Sequence, residues 1–164
     1  MTQAPPEGAA ATAAPQSPVF QLQRIYLKDA SLEMPNAPQI FLENGAPQIE
    51  VQLDVNHAPV GGSSFEVVVR VTATARIADK VLFLVEAQQA GIFELRGIPD
   101  GQIGAVLGIV CPGIIYPYLR ATVADLLNRT GLPPVHLAEI NFEVLYHQKN
   151  AQLAQAAGAP PTRQ

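Results

Sequence analysis

The sequence predicts an α+β subunit, with a four-stranded antiparallel sheet built first and helices after it. Apolar and polar residues alternate through four stretches between residues 20 and 95, and helical spacing appears only beyond Asp100. Strands followed by helices mark the α+β class. The four strands are read as joined by short links, which points to antiparallel neighbours in a meander or a simple Greek key.

The first strand, "FQLQRIYLKD", alternates least cleanly, and a bulge is expected near Arg24. In "QIEVQLDV", Ile49, Val51, Leu53 and Val55 share one face, while Gln48, Glu50, Gln52 and Asp54 share the other. The third strand repeats the pattern at greater length, with Phe65, Val67, Val69, Val71, Ala73, Ala75 and Ile77 against Glu66, Arg70, Thr72, Thr74 and Arg76. A short turn at Ala78 and Asp79 leads into "VLFLVEAQQAGIFEL". The odd face of that fourth strand (Val81, Phe83, Val85, Ala87) is apolar and suits helices. Its even face also carries Leu82, Leu84 and Ile92, interrupted by Glu86 and Gln88. A one-sided antiparallel sheet should be polar there. Either this is a central strand with a few exposed leucines, or it is a docking face, part apolar and part acidic.

Asp100 can cap a helix in which Ile103, Val106, Leu107 and Val110 form the apolar stripe. Pro112 disfavours helical geometry at Cys111, so this helix is expected to stop there. A second helix is expected from about Pro117, with Leu119, Val123, Leu126 and Leu127 on one side and Gly131 as its left-handed C′ residue. A third starts near Asn141 and places Phe142, Leu145, Tyr146 and Lys149 along one flank.

The 164 residues suggest one domain, in which 48% of residues are hydrophobic and only 15% charged. So little charge leaves apolar surface for another subunit or a ligand to cover. The net charge of −4 supplies no basic stripe, so nucleic acid is not expected as a partner. No apolar run approaches the roughly 18 residues of a membrane span. Residues 1–17, mostly Ala, Pro and Gln, are read as a flexible tail and not as a signal peptide, since they have neither a basic nor an apolar block. Residues 18–148 form the expected domain, and residues 149–164 the end of the last helix with a second flexible tail. A lone cysteine fits a reducing compartment, and a cytoplasmic location is the expectation.

Cys111, in "CPGIIYPYLR", is the segment that most resembles chemistry. A nucleophilic thiol needs a base and an electropositive setting, yet His57, His136 and His147 fall in no motif that ties them to it. One cysteine and three scattered histidines match no zinc spacing. "GIPDGQIGAVLG" fits neither phosphate-binding glycine pattern, and its glycines are better suited to close helix packing. The 14 acids lie mostly on polar strand faces and in turns, with no pair forced into a cleft. No enzyme motif and no metal or cofactor site is read. What remains is the set of aromatics near segment ends, which is either core or the lining of a groove for extended apolar peptide.

Taken together, "FQLQRIYLKDASLEMPNAPQIF", "FEVVVRVTATA", "QQAGIFEL", "LGIVCPGIIYPYLRATV" and "LPPVHLAEINFEVLY" resemble, in this order, the SecB family of bacterial protein-export chaperones. The similarity spans about residues 18–148. It implies helices on one face of the sheet and a homotetramer built as a dimer of dimers. It also implies a cytoplasmic, ATP-independent chaperone that holds secretory precursors unfolded and passes them to SecA, the ATPase of the Sec translocon. Neither a cofactor nor membrane insertion belongs to that picture. The alternative is a SecB-like chaperone serving a non-export partner such as a toxin–antitoxin module.

By position, the resemblance implies that Asp29, Glu33, Leu84 and Glu86 contact SecA. It implies that Val85, Ala87 and Gln89 serve tetramer assembly, and Val123 and Leu127 lie on the helix expected to join subunits. Phe83, Tyr116, Tyr118 and Phe142 are chosen as the aromatic lining of the client groove. The sequence departs from the family pattern in three places. Residues 150–164 contain no acid, Gly45 stands where an aromatic is expected, and the N-terminal tail is longer than expected.

Overall fold

The computed structural model describes residues 17–133 and 135–158. The two expected tails fall almost wholly (1–16) or in part (159–164) outside the described residues. Strands β1 (Val19–Glu33), β2 (Gln48–Gly61), β3 (Ser64–Ile77) and β4 (Lys80–Arg96) pair antiparallel in the order β1-β4-β3-β2. Three strands follow one another by hairpins, and β1 lies beside the last of them. Of the two expected topologies this is the Greek key. The long connection from β1 to β2 carries one 3₁₀ turn, Gln39–Leu42. It is held by Ile40, which is buried in the core, and by Asn36 Nδ2, which donates to the Val81 carbonyl at 2.9 Å.

The uneven alternation of β1 has a structural cause. Its register against β4 slips between Leu22 and Arg24, as expected, and again between Leu27 and Asp29. Each slip inserts one residue and so reverses which β1 positions pair with the odd residues of β4. Phe20, Leu22, Ile25, Leu27 and Leu32 therefore all stand opposite odd residues of β4, on the side that faces the helices. The β3–β4 turn is the expected two-residue link, with Ala78 at a left-handed φ of +50°.

The helices correct the sequence reading. Helix α1 (Asp100–Ala105), a π-helical turn (Val106–Val110) and α2 (Cys111–Asn128) form one unbroken helix of 29 residues. The chain does not stop at Cys111, and no new helix begins at Pro117. Proline is excluded inside an α-helix because it lacks an N–H and its ring meets the carbonyl four residues back. Here the Cys111 N–H reaches back five residues to the Val106 carbonyl, and the widened turn accommodates Pro112. Pro117 lies inside α2 on its exposed side, as does Gly113, whose carbonyl it cannot bond and which water can serve. Asp100 is the first helical residue rather than a side-chain cap.

The π turn also moves the apolar stripe. It adds a residue, so Val110 rotates out to the surface and Cys111 takes the buried position expected of it. Unbroken, this helix is long and apolar enough to cross a membrane by length and composition. In the fold it packs on the sheet instead: Leu107, Cys111, Ile115, Leu119, Val123 and Leu127 are buried against the odd faces of β3 and β4. Gly91 permits the close approach, because a Cβ there would stand 2.8 Å from the Phe93 ring and 3.2 Å from Ile115 Cδ1. After α2, Gly131 adopts the expected left-handed backbone at φ +75°, one residue beyond C′.

Helix α3 (Phe142–Gly158) is capped by Asn141, whose Oδ1 accepts the Val144 N–H at 3.1 Å. Only one flank of it is covered. Phe142 packs edge-on against Tyr116 at 5.5 Å, and Tyr146 lies over the π turn. A Cβ on Gly108 would come within 2.7 Å of Tyr146 Cε2, and closer still to Cδ2. Of the glycines in this stretch, Gly104 and Gly108 serve close packing, as expected, whereas a Cβ on Gly101 would meet nothing within 4 Å and Gly97 serves a left-handed turn at φ +66°. Gly108→Ala should therefore push Tyr146 off its seat at a cost of about 1–3 kcal/mol. Hydrogen exchange should show α3 losing protection before the sheet does; an unchanged α3 would contradict the seat.

Candidate docking face and groove

The side of the sheet away from the helices is open. Strand pairing puts Glu33 beside Leu84, Ser31 beside Glu86 and Asp29 beside Gln88. Asp29, Glu33, Leu84 and Glu86 thus meet on one patch of this face, although they come from strands more than fifty residues apart. Asp29 and Glu33 are exposed, and Leu84 and Glu86 are half-buried. Leu82 is not part of the patch. A register slip between Ala75 and Arg76 lets both Leu82 and Phe83 turn into the core. Further along, Tyr26 and Lys28 converge on Glu66, with Lys28 Nζ 2.7 Å from Oε2. These bonds, Lys28 first, hold the Glu66 carboxyl below its ordinary range, and the bond to Glu66 pushes the Tyr26 hydroxyl up.

The residues associated with assembly sit elsewhere. Val85, Ala87, Val123 and Leu127 are buried within the subunit, where β4 meets α2. Gln89 is buried with them, and its Oε1 accepts from Thr122 Oγ1 of α2 at 3.1 Å. They hold the helix to the sheet and present no surface to a second chain. The exposed apolar residues are different ones: Phe20 (43%), Leu22 (37%) and Leu27 (51%) line the helix side of the edge strand β1, beyond the reach of α2.

The four aromatics chosen for the groove do not form one. Phe83, Tyr116 and Phe142 are core, and the Tyr116 hydroxyl donates to the Ala138 carbonyl. Burial raises the pKa of that hydroxyl. Tyr118 alone is exposed, at 52%. The groove the fold does build lies between β2, the π turn and α3, with Val55, Gly108, Leu145, Tyr146 and Leu153 on its walls. At its rim Lys149 Nζ donates to Asp54 Oδ1 (2.7 Å) and to the Val55 carbonyl (2.6 Å), tying α3 to the edge strand. Leu145, Tyr146 and Lys149 were legible as one flank of a helix; that β2 faces them was not. Phe41 and Leu42 of the 3₁₀ turn add further exposed apolar surface.

Two pH effects follow. Burial raises the Cys111 thiol to about 12, and among the described residues no lysine, arginine or histidine side chain is hydrogen-bonded to it to oppose the shift. The folded chain should resist a thiol-alkylating reagent at pH 8 and react only on unfolding; rapid labelling of the folded chain would contradict this burial. At Asp54, desolvation acts upward, but the bonds from Lys149 and Asn56 outweigh it and hold the pKa low. The stability this supplies is present above the unfolded carboxylate pKa and is lost as pH falls through the folded one. Chemical denaturation below pH 4 should show the loss, and Lys149→Ala should flatten it.

The family model described as "Preprotein translocase subunit SecB" matches residues 13–153. "Protein-export protein SecB" of Methylibium petroleiphilum is 59% identical over 143 residues, covering 87% of this chain and 88% of its own length. The protein of that name from Janthinobacterium sp. (strain Marseille) is 60% identical over 138 residues, 84% of each chain. That from Verminephrobacter eiseniae is 57% identical over 148 residues, 90% of this chain and 97% of its own. Among solved structures, a Mycobacterium tuberculosis SecB-like chaperone in complex with an antitoxin peptide shares the fold. It has a TM-score of 0.61 at 20% identity, and the match covers 74% of this chain and 90% of that one. With matches of this extent and identity, the chain belongs to the SecB family.

Proposed function

We propose that this chain is an ATP-independent, non-enzymatic chaperone of the bacterial cytoplasm that holds export precursors unfolded and delivers them to SecA. The observation that carries this reading is family membership across nearly the whole domain, with relatives named for protein export. The fold supplies surfaces suited to the task. Apolar walls beside a strand edge, between β2 and α3, suit an extended segment without demanding one sequence. Several weak sites on one assembly would hold a long chain by avidity.

The open face, with Asp29, Glu33, Leu84 and Glu86 together, is the SecA-docking surface in this reading. Assembly into a dimer of dimers is supported by the apolar helix side of β1, where Phe20, Leu22 and Leu27 await a cover. Val85, Ala87, Gln89, Val123 and Leu127 contribute to assembly by fixing the helix that neighbouring subunits would meet. Tyr118, on the exposed side of α2, remains a client contact in this reading. Phe83, Tyr116 and Phe142, buried in the core, act in this reading only by holding the subunit together. An antitoxin-directed role has less behind it, since the relatives at 57–60% identity bear the export name.

Dilution of a urea-unfolded precursor into an excess of the chain, without nucleotide, should slow the precursor's folding by at least about tenfold. Glu86→Arg should leave this holding intact and weaken SecA binding by about tenfold or more. Holding that requires ATP would overturn the chaperone mechanism. Unchanged SecA binding in an assembled Glu86→Arg protein would overturn the docking face.

A further inference from the structure

Glu86 already has a cation. Its Oε1 accepts from Arg70 Nη2 at 3.1 Å and from Thr72 Oγ1 at 3.3 Å. Arg70 stands mid-sheet on β3, opposite Gln88 of β4 and Asp54 of β2. It lines both shallow depressions of the open face, one beside Thr72 and Glu86, the other beside Glu66 and Gln88. The neighbouring opposite charges are differently disposed. Lys28 is committed to Glu66, and Asp54 is held by Lys149. Asp29 and Glu33 have no ion pair among the described residues. A cationic partner could therefore engage Asp29 and Glu33 directly, whereas at Glu86 it competes with Arg70 for a carboxylate whose Oε1 is already taken.

We propose that Arg70 is an internal competitor for the Glu86 carboxylate, lowering the affinity of a cationic partner for the open face and keeping its docking reversible. The proposal rests on the reading of this face as the SecA contact. The Arg70 and Glu86 side chains are 47% and 35% exposed, so the pair is solvated and readily exchanged. An exposed pair of this kind shifts an equilibrium by about two- to fivefold. That suits a chaperone that must release its partner after delivery, since a fully available acidic patch would bind more tightly and leave more slowly. Arg70 is a positioning residue here: it acts through Glu86 and makes no partner contact of its own.

The test is a double-mutant cycle on the full-length, assembled chain, with purified SecA titrated at two salt concentrations. Arg70→Gln should tighten binding by about two- to fivefold and steepen its salt dependence. In a Glu86→Gln background the same change should do nothing, because the carboxylate competed for is gone. Equal tightening in both backgrounds would make Arg70 a general repulsive charge and overturn the proposal. Weakened binding in Arg70→Gln would make it a partner contact, with the same consequence. If Glu86→Gln alone leaves binding unchanged, the docking face itself is wrong, and the competitor role falls with it. Both sites lie on the open face, so an unchanged melting temperature confirms that folding is not what moved.

Discussion

Everything else in this fold depends on one contact, the packing of the long helix across β3 and β4. A four-stranded sheet has two faces and two edges, and a single helix covers the middle of one face. Leu107, Cys111, Ile115, Leu119, Val123 and Leu127 fill that contact, with Gly91 letting the helix sink onto the strand. Each fully buried aliphatic side chain contributes about 1.5–3 kcal/mol, enough to fix the helix and too localised to cover the rest. The helix side of β1 stays apolar and open, and so does the groove beside β2. A chain only 15% charged has little with which to cover such surfaces alone. Incomplete coverage is thus the physical link between fold and chaperone work.

The strands were legible because a half-buried strand writes its two faces into the sequence with period two. All four were recoverable, as was the bulge near Arg24, whose broken alternation marks the slip in register. The second slip, at Lys28, went unread although Lys28 and Asp29 repeat the polar pair, Gln23 and Arg24, that marks the first. The helix failed for a specific reason. Local rules say that Pro112 ends a helix, and they assume that the turn before it is an α turn. A π turn has a different bonding pattern and phase, so the same proline fits and the stripe moves from Val110 to Cys111. No periodicity argument restricted to 3.6 residues could see it.

Among the proposed functional residues, those on strands were easier to gather than those on helices. The face of Leu84 and Glu86 follows from parity, and its neighbours Asp29 and Glu33 follow once β1 is known to pair with β4. The aromatics carried no such constraint. Tyr116 and Tyr118 are two positions apart on a helix, about 200° around it, so one is buried and the other exposed. The cysteine that invited a chemical reading is a packed hydrophobe whose thiol stays protonated. The groove beside β2 needed the three-dimensional fold, because its walls come from residues about fifty and ninety positions apart.

Native mass spectrometry of the wild-type chain beside Leu27→Asp tests incomplete coverage most directly. Leu27 is half exposed on the helix side of β1, and its replacement by a charge should leave the subunit folded. The wild type should appear as a tetramer, and Leu27→Asp as smaller species with an intact circular dichroism spectrum. A wild-type chain that is monomeric at micromolar concentration, or a Leu27→Asp tetramer as stable as the wild type, would contradict it.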